Sequence, residues 1–316
     1  MRIVFFGSPI EAATSLESLI SAGHDIAAVY SRPDQRAGRG RTETPTPVKA
    51  FALERNLPVF TPKGLRNNVE DQSRLAEANA DVFVVVAYGR ILPPELLQIP
   101  PMGVVNVHPS LLPRYRGPSP VVNAILDGES QTGVTVMLLD EGMDTGPILA
   151  QSPPIQLTGD EKGSALQERL FKEGVAMLPG VLEGLGDGSI TPTPQDDALA
   201  TTTGLIERSD GEIDWLTSSE HIDRMVRAYD PWPGTFTSWN GKGLKILDAS
   251  AVKVADEPSA GSIELGRVVK ADGRLLVGTG SGSLEISRVQ LEGRQAVAAD
   301  DFLRGQPEFE GATLGS

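Results

Sequence analysis

The sequence has 316 residues, 40% of them hydrophobic and 22% charged, which is typical of a globular protein with two domains. It contains no cysteine, which excludes disulfides, thiolate nucleophiles and zinc-thiolate sites, and no apolar run is long enough for a signal peptide or membrane span, so we expect a cytoplasmic protein. A formal net charge of −14 excludes general attraction to a polyanion, so a nucleic-acid partner would need a local basic patch.

The first half of the chain alternates short apolar runs with amphipathic stretches. RIVFF at residues 2–6 and DIAAVYS at residues 25–31 predict strands, and residues 11–23 between them have the apolar spacing of a helix. Further strands are predicted at residues 81–89, 103–108 and 133–140, and further helices at residues 46–57 and 163–188. This alternation predicts an α/β domain over residues 1–188, with a mainly parallel sheet covered by helices on both faces.

The second half begins with a polar stretch and continues as short alternating runs. Residues 189–203 are rich in Pro and Thr and show no periodicity, which predicts a linker that we extend over residues 189–208. Residues 209–316 then show strand patterns separated by Gly and Asp turns, typical of a small β-barrel or sandwich. Within this domain only residues 218–229 predict a helix, with Ser218 as its cap.

Three sequence features could suggest a nucleotide, phosphate or metal site, but none of them supports one. FFGSPIEAA has one glycine where a dinucleotide-binding turn needs three, which argues against a nicotinamide cofactor. VGTGSGSLEI lies between two strand patterns with no following helix, which favours a hairpin turn over a phosphate cradle. The three histidines are too scattered for a metal site, and we expect no metal.

Two polar residues interrupt the apolar run GVVNVHPSLLP. Asn106 and His108 are two residues apart, so on a strand they lie on one face, at its carboxyl end, where parallel sheets have their crevices. A histidine beside an amide suits stabilising the negative oxygen of acyl transfer. A carboxylate from Asp140, Glu141 or Asp144 would orient the imidazole and raise its pKa. The alternative is a core amide and imidazole paired for structural reasons only.

The segments NVHPSLLPRYRG and DEGMDTGPIL resemble the signature of the folate-dependent formyltransferases. Within that family, SRPDQRAGRGR, PTPVK, VVVAYGRILP, GEIDW and DPWPG resemble the members that formylate methionyl initiator tRNA, over nearly the whole chain. The resemblance implies a Rossmann-like domain, a linker and an OB-like β-barrel. It also implies that a monomer transfers a formyl group from 10-formyltetrahydrofolate to the amine of methionyl initiator tRNA.

The same resemblance assigns roles to individual residues. It implies a catalytic trio in which Asn106 and protonated His108 stabilise the formyl oxygen, while Asp144 orients His108 and helps an ordered water carry the proton from the amine to folate N10. The implied folate contacts are Val86, Tyr88, Gly89, Ile91, Leu92, Ser110, Leu111, Leu112, Pro113 and Asp140. Residues 32–41 have four arginines against one aspartate, and Arg36, Arg39 and Arg41 are the expected RNA contacts; a solvated loop is the alternative.

The charge of the second domain departs from the resembling family, whose barrel is expected to present a basic surface to RNA. From residue 209 onward there are 17 acidic and 11 basic residues, a net of −6. A basic face would then have to be assembled from Lys242, Lys245, Lys253, Arg267 and Lys270.

Four other functions share part of the pattern. A sugar-nucleotide N-formyltransferase and the hydrolase module of formyltetrahydrofolate dehydrogenase have similar Asn, His and Asp placement, but the basic residues 32–41 favour a tRNA acceptor and no dehydrogenase domain follows. Glycinamide ribonucleotide formyltransferase normally lacks a second domain. A non-catalytic RNA- or folate-binding protein would not need the trio to be intact.

Overall fold

The computed structural model describes residues 1–37, 42–252 and 263–315. The chain divides into two compact units. The first consists of Met1–Pro120, Gln131–Gln156 and Gln167–Thr203, and the second of Val121–Ser130, Leu157–Leu166 and Gly204–Ser316. No described helix has the length and hydropathy needed to span a membrane. The domain limits that we expect at residues 188 and 209 stay predictions.

The first unit is built from short strands and helices. Its strands are β1 (Arg2–Gly7), β2 (Asp25–Tyr30), β3 (Gln35–Ala37), β4 (Thr42–Thr44), β5 (Val59–Phe60), β6 (Val82–Val86), β7 (Val104–His108), β8 (Gln131–Thr132), β9 (Thr135–Leu138), β10 (Ile148–Gln151) and β11 (Ile155–Gln156). Its helices are α1 (Ile10–Ser21), α2 (Pro47–Glu54), α3 (Val69–Glu77) and α4 (Pro94–Leu97). The helices α5 (Pro120–Leu126) and α6 (Gly163–Asp187) contain residues of both units.

The central sheet of the first unit has the strand order β5-β2-β1-β6-β7-β9-β10. The five strands from β5 to β7 are parallel, β9 is antiparallel to β7, and β10 is antiparallel to β9. The chain moves outward from β1 through β2 to β5 and then returns to β6 on the other side of β1. The strand order thus reverses between β1 and β6, the position at which open α/β sheets generally bind ligands, and β7 ends beside it.

The core of the first unit follows from its apolar strands. Every residue of β6 is buried, as expected for a strand in the middle of a sheet that helices cover. Phe6, Tyr30, Phe83 and Tyr88 form an aromatic cluster, in which the Phe6 and Tyr30 rings stack with centroids 5.0 Å apart. These strands are rigid supports for the loops that follow them.

The second unit is dominated by an antiparallel sheet. Its strands are β12 (Thr235–Trp239), β13 (Lys242–Ala251), β14 (Val268–Ala271), β15 (Arg274–Gly278), β16 (Ser283–Leu291) and β17 (Val297–Ala298), and its helices are α7 (Ser219–Ala228) and α8 (Ala299–Gly305). The order is β12-β13-β16-β15-β14, with β17 also paired to β16. The predicted fold class, a mainly parallel α/β domain followed by a smaller β domain, is confirmed.

Two local predictions for this unit are confirmed and one is wrong. Ser218 caps α7 by accepting a hydrogen bond from the backbone N of His221 at 3.2 Å. The glycine-rich stretch is a hairpin turn, because Gly278 of β15 pairs with Ser283 of β16. The expectation of a single helix is wrong, since α8 also forms; its Phe302 packs edge-on against Trp239 at 5.6 Å between ring centroids.

Candidate active site

Asn106 and His108 lie at the end of β7 and point to the same face of the sheet. Their strand runs between β6 and β9, where Asn106 pairs with Val85 and Met137, and His108 pairs with Thr135. His108 is buried, with 4% of its surface exposed, and Asn106 is half-buried. The Asn106 amide makes no hydrogen bond to any residue that the structure describes. The amide is therefore available to a ligand at the carboxyl end of the strand.

The His108 ring lies between two acceptor groups. Its Nε2 atom is 2.9 Å from the carbonyl oxygen of Tyr115, and because a carbonyl can only accept, Nε2 donates this hydrogen bond. Its Nδ1 atom is 3.6 Å from Oδ2 of Asp144, which is an ion-pair distance when the ring is protonated but is too long for a hydrogen bond. The carbonyl therefore holds the ring's orientation, and the carboxylate supplies charge next to it.

Asp144 is the carboxylate that the structure brings to His108. It follows β9 in a left-handed backbone conformation with φ of 54°, and its Oδ2 accepts a hydrogen bond from the Gly117 backbone N at 2.7 Å. Asp140 instead closes its own loop, because its Oδ1 accepts hydrogen bonds from Gly142 N at 3.0 Å and Thr145 Oγ1 at 2.6 Å. Of the carboxylates that the sequence offered, Asp144 is thus placed to act on His108.

Hydrogen bonds from Gln195, which the sequence analysis did not identify, hold the loop that carries Asp144; we call Gln195 and Arg116 the brace. The Gln195 side-chain amide donates to the carbonyl oxygens of Asp144 at 2.8 Å and Gly146 at 2.7 Å. Buried Arg116 in turn donates to Gln195 Oε1 at 3.0 Å and to Asp197 at 2.8 Å. Gln195 falls within the stretch predicted as a linker, and a lone glutamine there carries no sequence signal for this role. The brace restricts the loop that presents the carboxylate.

Burial is the largest influence on the pKa of His108. Removal from water lowers the pKa of His108, while the Asp144 charge and the hydrogen bond to the Tyr115 carbonyl act in the opposite direction and do not fully compensate. The predicted upward effect of the carboxylate is therefore present, but the net direction of the pKa is downward, which favours the neutral ring over the protonated ring expected from the sequence. In the neutral ring the hydrogen lies on Nε2, which donates to the Tyr115 carbonyl.

We expect the free energy of unfolding to fall as the pH drops below about 6.5, the ordinary histidine pKa. Because the pKa of His108 is lower in the folded protein, the unfolded chain takes up this proton more readily, and acid favours unfolding. The loss approaches about 1.4 kcal/mol per pH unit between the folded and unfolded pKa values. Denaturant titrations over this pH range should show a shallower dependence for His108→Asn.

The matched control is His221→Asn, because the His221 imidazole is only half-buried and its pKa is also lowered by burial. This control should change the pH dependence less than His108→Asn does. Equal pH slopes for wild type and His108→Asn would contradict the assignment of a buried neutral imidazole.

The residues expected to contact folate lie beside this site but differ in exposure. Val86, Tyr88, Leu92, Ser110 and Leu112 are buried; Leu111 and Pro113 are half-buried; Gly89, Ile91 and Asp140 are exposed. Tyr88 packs in the aromatic cluster, and burial raises the pKa of its hydroxyl to about 12. The side chains of the buried members are enclosed by the protein, and the folate contacts stay a prediction.

Three loops after β1, β2 and β6 are joined by contacts that the sequence analysis missed. Ser8 Oγ donates to the Tyr88 carbonyl oxygen and accepts from the Arg32 backbone N, both at 3.3 Å. The Arg32 guanidinium packs on Gly89, where an added Cβ would lie 3.3 Å from Nη1. Ser8 and Arg32 are the residues that the sequence analysis did not name, and each follows closely after an apolar strand pattern, which is the signal that could have identified them. They line the point where the strand order reverses.

The expected RNA contacts are only partly described. Arg36 lies in β3, which forms a two-stranded antiparallel hairpin with β4, whereas Arg39 and Arg41 lie outside the described residues. In the second unit, Lys242 and Lys245 are three positions apart on β13 and so point to opposite faces, and Lys270 is 3.5 Å from Asp300. Lys253 lies outside the described residues.

Among the residues that are described, no group of three or more His, Asp or Glu could hold a metal ion.

Comparison with known protein families gives two matches that together span most of the chain. Residues 1–182 match the model described as "Formyl transferase", and residues 205–307 match "Formyl transferase, C-terminal domain".

Individual proteins are also similar. A methionyl-tRNA formyltransferase of Chloroflexus aurantiacus is 46% identical over 305 residues, which cover 96% of this chain and 97% of that protein. One of Dehalococcoides mccartyi is 45% identical over 317 residues, covering 100% of this chain and 99% of the other. A structure of an N-formyltransferase from Helicobacter canadensis, with folinic acid and dTDP-3-aminofucose, has a TM-score of 0.65 at 18% identity and covers 90% of this chain and 98% of its own.

Proposed function

Since the chain belongs to the formyl transferase family, we propose that it transfers a formyl group from 10-formyltetrahydrofolate to the amino group of methionyl initiator tRNA. The observation that carries this proposal is the convergence of a free Asn106 amide, the His108 imidazole and the Asp144 carboxylate at one strand end. The full-length similarity to methionyl-tRNA formyltransferases supports the choice of acceptor. The protein acts in the cytoplasm, and we retain the expectation of a monomer.

Asn106 is the proposed donor to the formyl oxygen. When the methionyl amine attacks the formyl carbon, the carbonyl oxygen becomes negative in a tetrahedral intermediate, and a fixed N–H donor stabilises that charge. The Asn106 amide suits this role because it is half-buried and makes no hydrogen bond with the described part of the chain. Collapse of the intermediate breaks the bond between the formyl carbon and folate N10 and leaves the formamide on the methionyl group.

His108 and Asp144 are the proposed source of positive charge and the proposed proton path. Negative charge developing nearby favours protonation of the imidazole, and the added proton on Nδ1 faces the Asp144 carboxylate at 3.6 Å. Because Nε2 is already held by the Tyr115 carbonyl, the imidazolium acts on the oxygen through its charge. We propose that Asp144, through an ordered water, relays the proton that leaves the amine to N10, so that no net proton is gained or lost.

The test of this function is a formylation assay with two acceptors. Purified protein is given 10-formyltetrahydrofolate with either methionyl initiator tRNA or a nucleotide-linked amino sugar. We expect formylation of the charged tRNA by wild type and strong loss of this activity in His108→Ala. Turnover of the amino sugar without turnover of methionyl-tRNA would overturn the proposal in favour of a sugar-nucleotide N-formyltransferase, and binding of RNA or folate without turnover would favour a non-catalytic protein.

The triple variant Arg36→Ala/Arg39→Ala/Arg41→Ala is expected to raise the KM for charged tRNA and to leave the KM for folate unchanged. Each arginine that contacts a phosphate releases counterions, so the slope of log KM against log salt should decrease by about 1 per lost contact. The control is Arg66→Ala, an exposed arginine elsewhere in the first unit, which should behave as wild type. Unchanged tRNA kinetics in the triple variant would reject the role of these arginines.

A further inference from the structure

The second unit exposes one tryptophan. Trp215 and Trp239 are buried, with 7% and 4% of their surfaces exposed, whereas Trp232 is 59% exposed. Trp232 lies between Pro231 and Pro233, whose rings restrict the backbone, in a turn closed by a 3.0 Å hydrogen bond from Gly234 N to the Tyr229 carbonyl oxygen. An indole held in this way offers a flat surface at little cost in conformational entropy.

A second aromatic residue and a lysine lie on the adjoining sheet face. Phe236 of β12 is paired directly with Lys245 of β13. Both point away from the core, because their strand neighbours Thr235, Thr237, Leu244 and Ile246 are buried on the opposite face. Phe236 is half-buried and Lys245 is exposed. We call Trp232, Phe236 and Lys245 the aromatic face.

The lysine ammonium lies over the turn that carries Trp232. A Cβ atom built on Gly234 would be 3.8 Å from Lys245 Nζ and 3.7 Å from the Pro231 carbonyl oxygen, so the ammonium lies within ordinary contact distance of this turn. Lys245 forms no ion pair within the described parts of the chain. Its charge is therefore available to an external anion.

Exposed Glu212 lies beside the aromatic face, because its backbone forms a parallel bridge to Phe236. Three other acidic residues of the second unit have partners of their own. Asp248 pairs with Lys162 at 2.5 Å, Asp230 accepts from Ser164 Oγ at 2.8 Å, and Glu292 accepts from the Gly243 backbone N at 3.2 Å. The aromatic face thus presents an unpaired cation although residues 209–316 carry a net charge of −6, from 17 acidic and 11 basic residues. Its charge is opposite to that of a nucleic acid.

We propose that the aromatic face binds one unpaired nucleotide of the RNA substrate, with its base stacked on Trp232 and its phosphate at Lys245. This inference rests on the proposed function, which supplies the RNA. Base stacking on an exposed aromatic side chain together with a nearby cation is how proteins hold unpaired nucleotides without reading their sequence. An acidic domain thereby contributes to RNA binding through stacking, with a single cation, and needs no general basic surface.

The experiment measures binding of deacylated initiator tRNA to the full chain, without turnover. Because Trp232 is the exposed member of the three tryptophans, acrylamide quenching of intrinsic fluorescence reports mainly on it. We expect tRNA to protect the fluorescence of wild type from acrylamide. Trp232→Leu should raise the Kd by about 10-fold, Trp232→Phe should stay within about threefold of wild type because it keeps a stacking surface, and Lys245→Gln should reduce the salt slope by about 1.

The matched control is Leu216→Ala, which removes an equally exposed apolar side chain of the same unit and should leave the Kd unchanged. The folate KM of each variant is measured in the formylation assay to show that folding is intact. If wild type formylates methionyl-tRNA but Trp232→Leu binds tRNA as wild type does, or if tRNA gives no protection from acrylamide, the inference is overturned and the proposed function stands. Failure of wild type to formylate methionyl-tRNA would instead count against the proposed function.

Discussion

Replacing Asn106 with alanine is expected to lower kcat for formylation by about 100- to 1,000-fold, the loss found when one oxyanion donor is removed from an acyl-transfer site. The negative oxygen exists in the intermediate and not in the bound substrates, so both KM values should change little. The amide makes no hydrogen bond within the described chain, so its loss leaves no partner unsatisfied. Stability should stay within about 1 kcal/mol of wild type.

Single-turnover formylation and thermal unfolding of the same preparation check this prediction. The matched control is Gln295→Ala, which removes an exposed amide of the second unit and should leave both rate and stability unchanged. A kcat for Asn106→Ala within about fivefold of wild type would remove Asn106 from the oxyanion-binding role.

Replacing Asp144 with asparagine is expected to lower kcat by about 100-fold. This is the lower end of the rate contribution that general acid–base residues typically make. The amide oxygen can still accept from Gly117 N, so the loop keeps its 2.7 Å contact, but the charge beside His108 is removed. The pKa of His108 should then fall further, because burial lowers it and the Asp144 charge that raises it is no longer present.

The matched control for Asp144 is Glu141→Gln on the same loop. Glu141 is exposed and makes no hydrogen bond or ion pair with the residues that the structure describes, so this change should alter kcat by less than about threefold. The His108 pKa is followed by NMR in wild type and both variants. Equal kinetic effects of Glu141→Gln and Asp144→Asn would show that the charge at Asp144 has no special role.

Much of the fold could be predicted because burial imposes a period on the sequence. Apolar runs predicted β1, β2, β6, β7 and β9, which carry the site, since each is long enough to show the pattern of a buried strand. The two-residue strands β5, β8 and β11 are too short to show any period. Helix α8 has seven residues, and it is stabilised by packing of Phe302 and Leu303 in the core of the second unit, which local sequence does not reveal.

The candidate site could be predicted where it depends on neighbours in sequence. The strand period alone placed Asn106 and His108 together, but Asp144 could be chosen among three carboxylates only by resemblance. The Tyr115 carbonyl has no sequence signal because every residue carries one. Gln195 contacts Asp144 from 51 residues away, a contact that depends on tertiary structure. The direction of the His108 pKa could not be predicted, because it depends on how deeply the ring is buried. The sequence does not show whether the effect of burial exceeds the opposite effect of the nearby carboxylate.

The most direct test of the central claim is the single-turnover rate of the double variant Asn106→Ala/Asp144→Asn. The claim is that an amide and a carboxylate-supported imidazole act together on one negative oxygen. Groups that act as a unit are strongly non-additive, so the double variant should be within about tenfold of the slower single variant. A rate reduced by the full product of the two single effects would mean that Asn106 and Asp144 act independently, which contradicts the shared site.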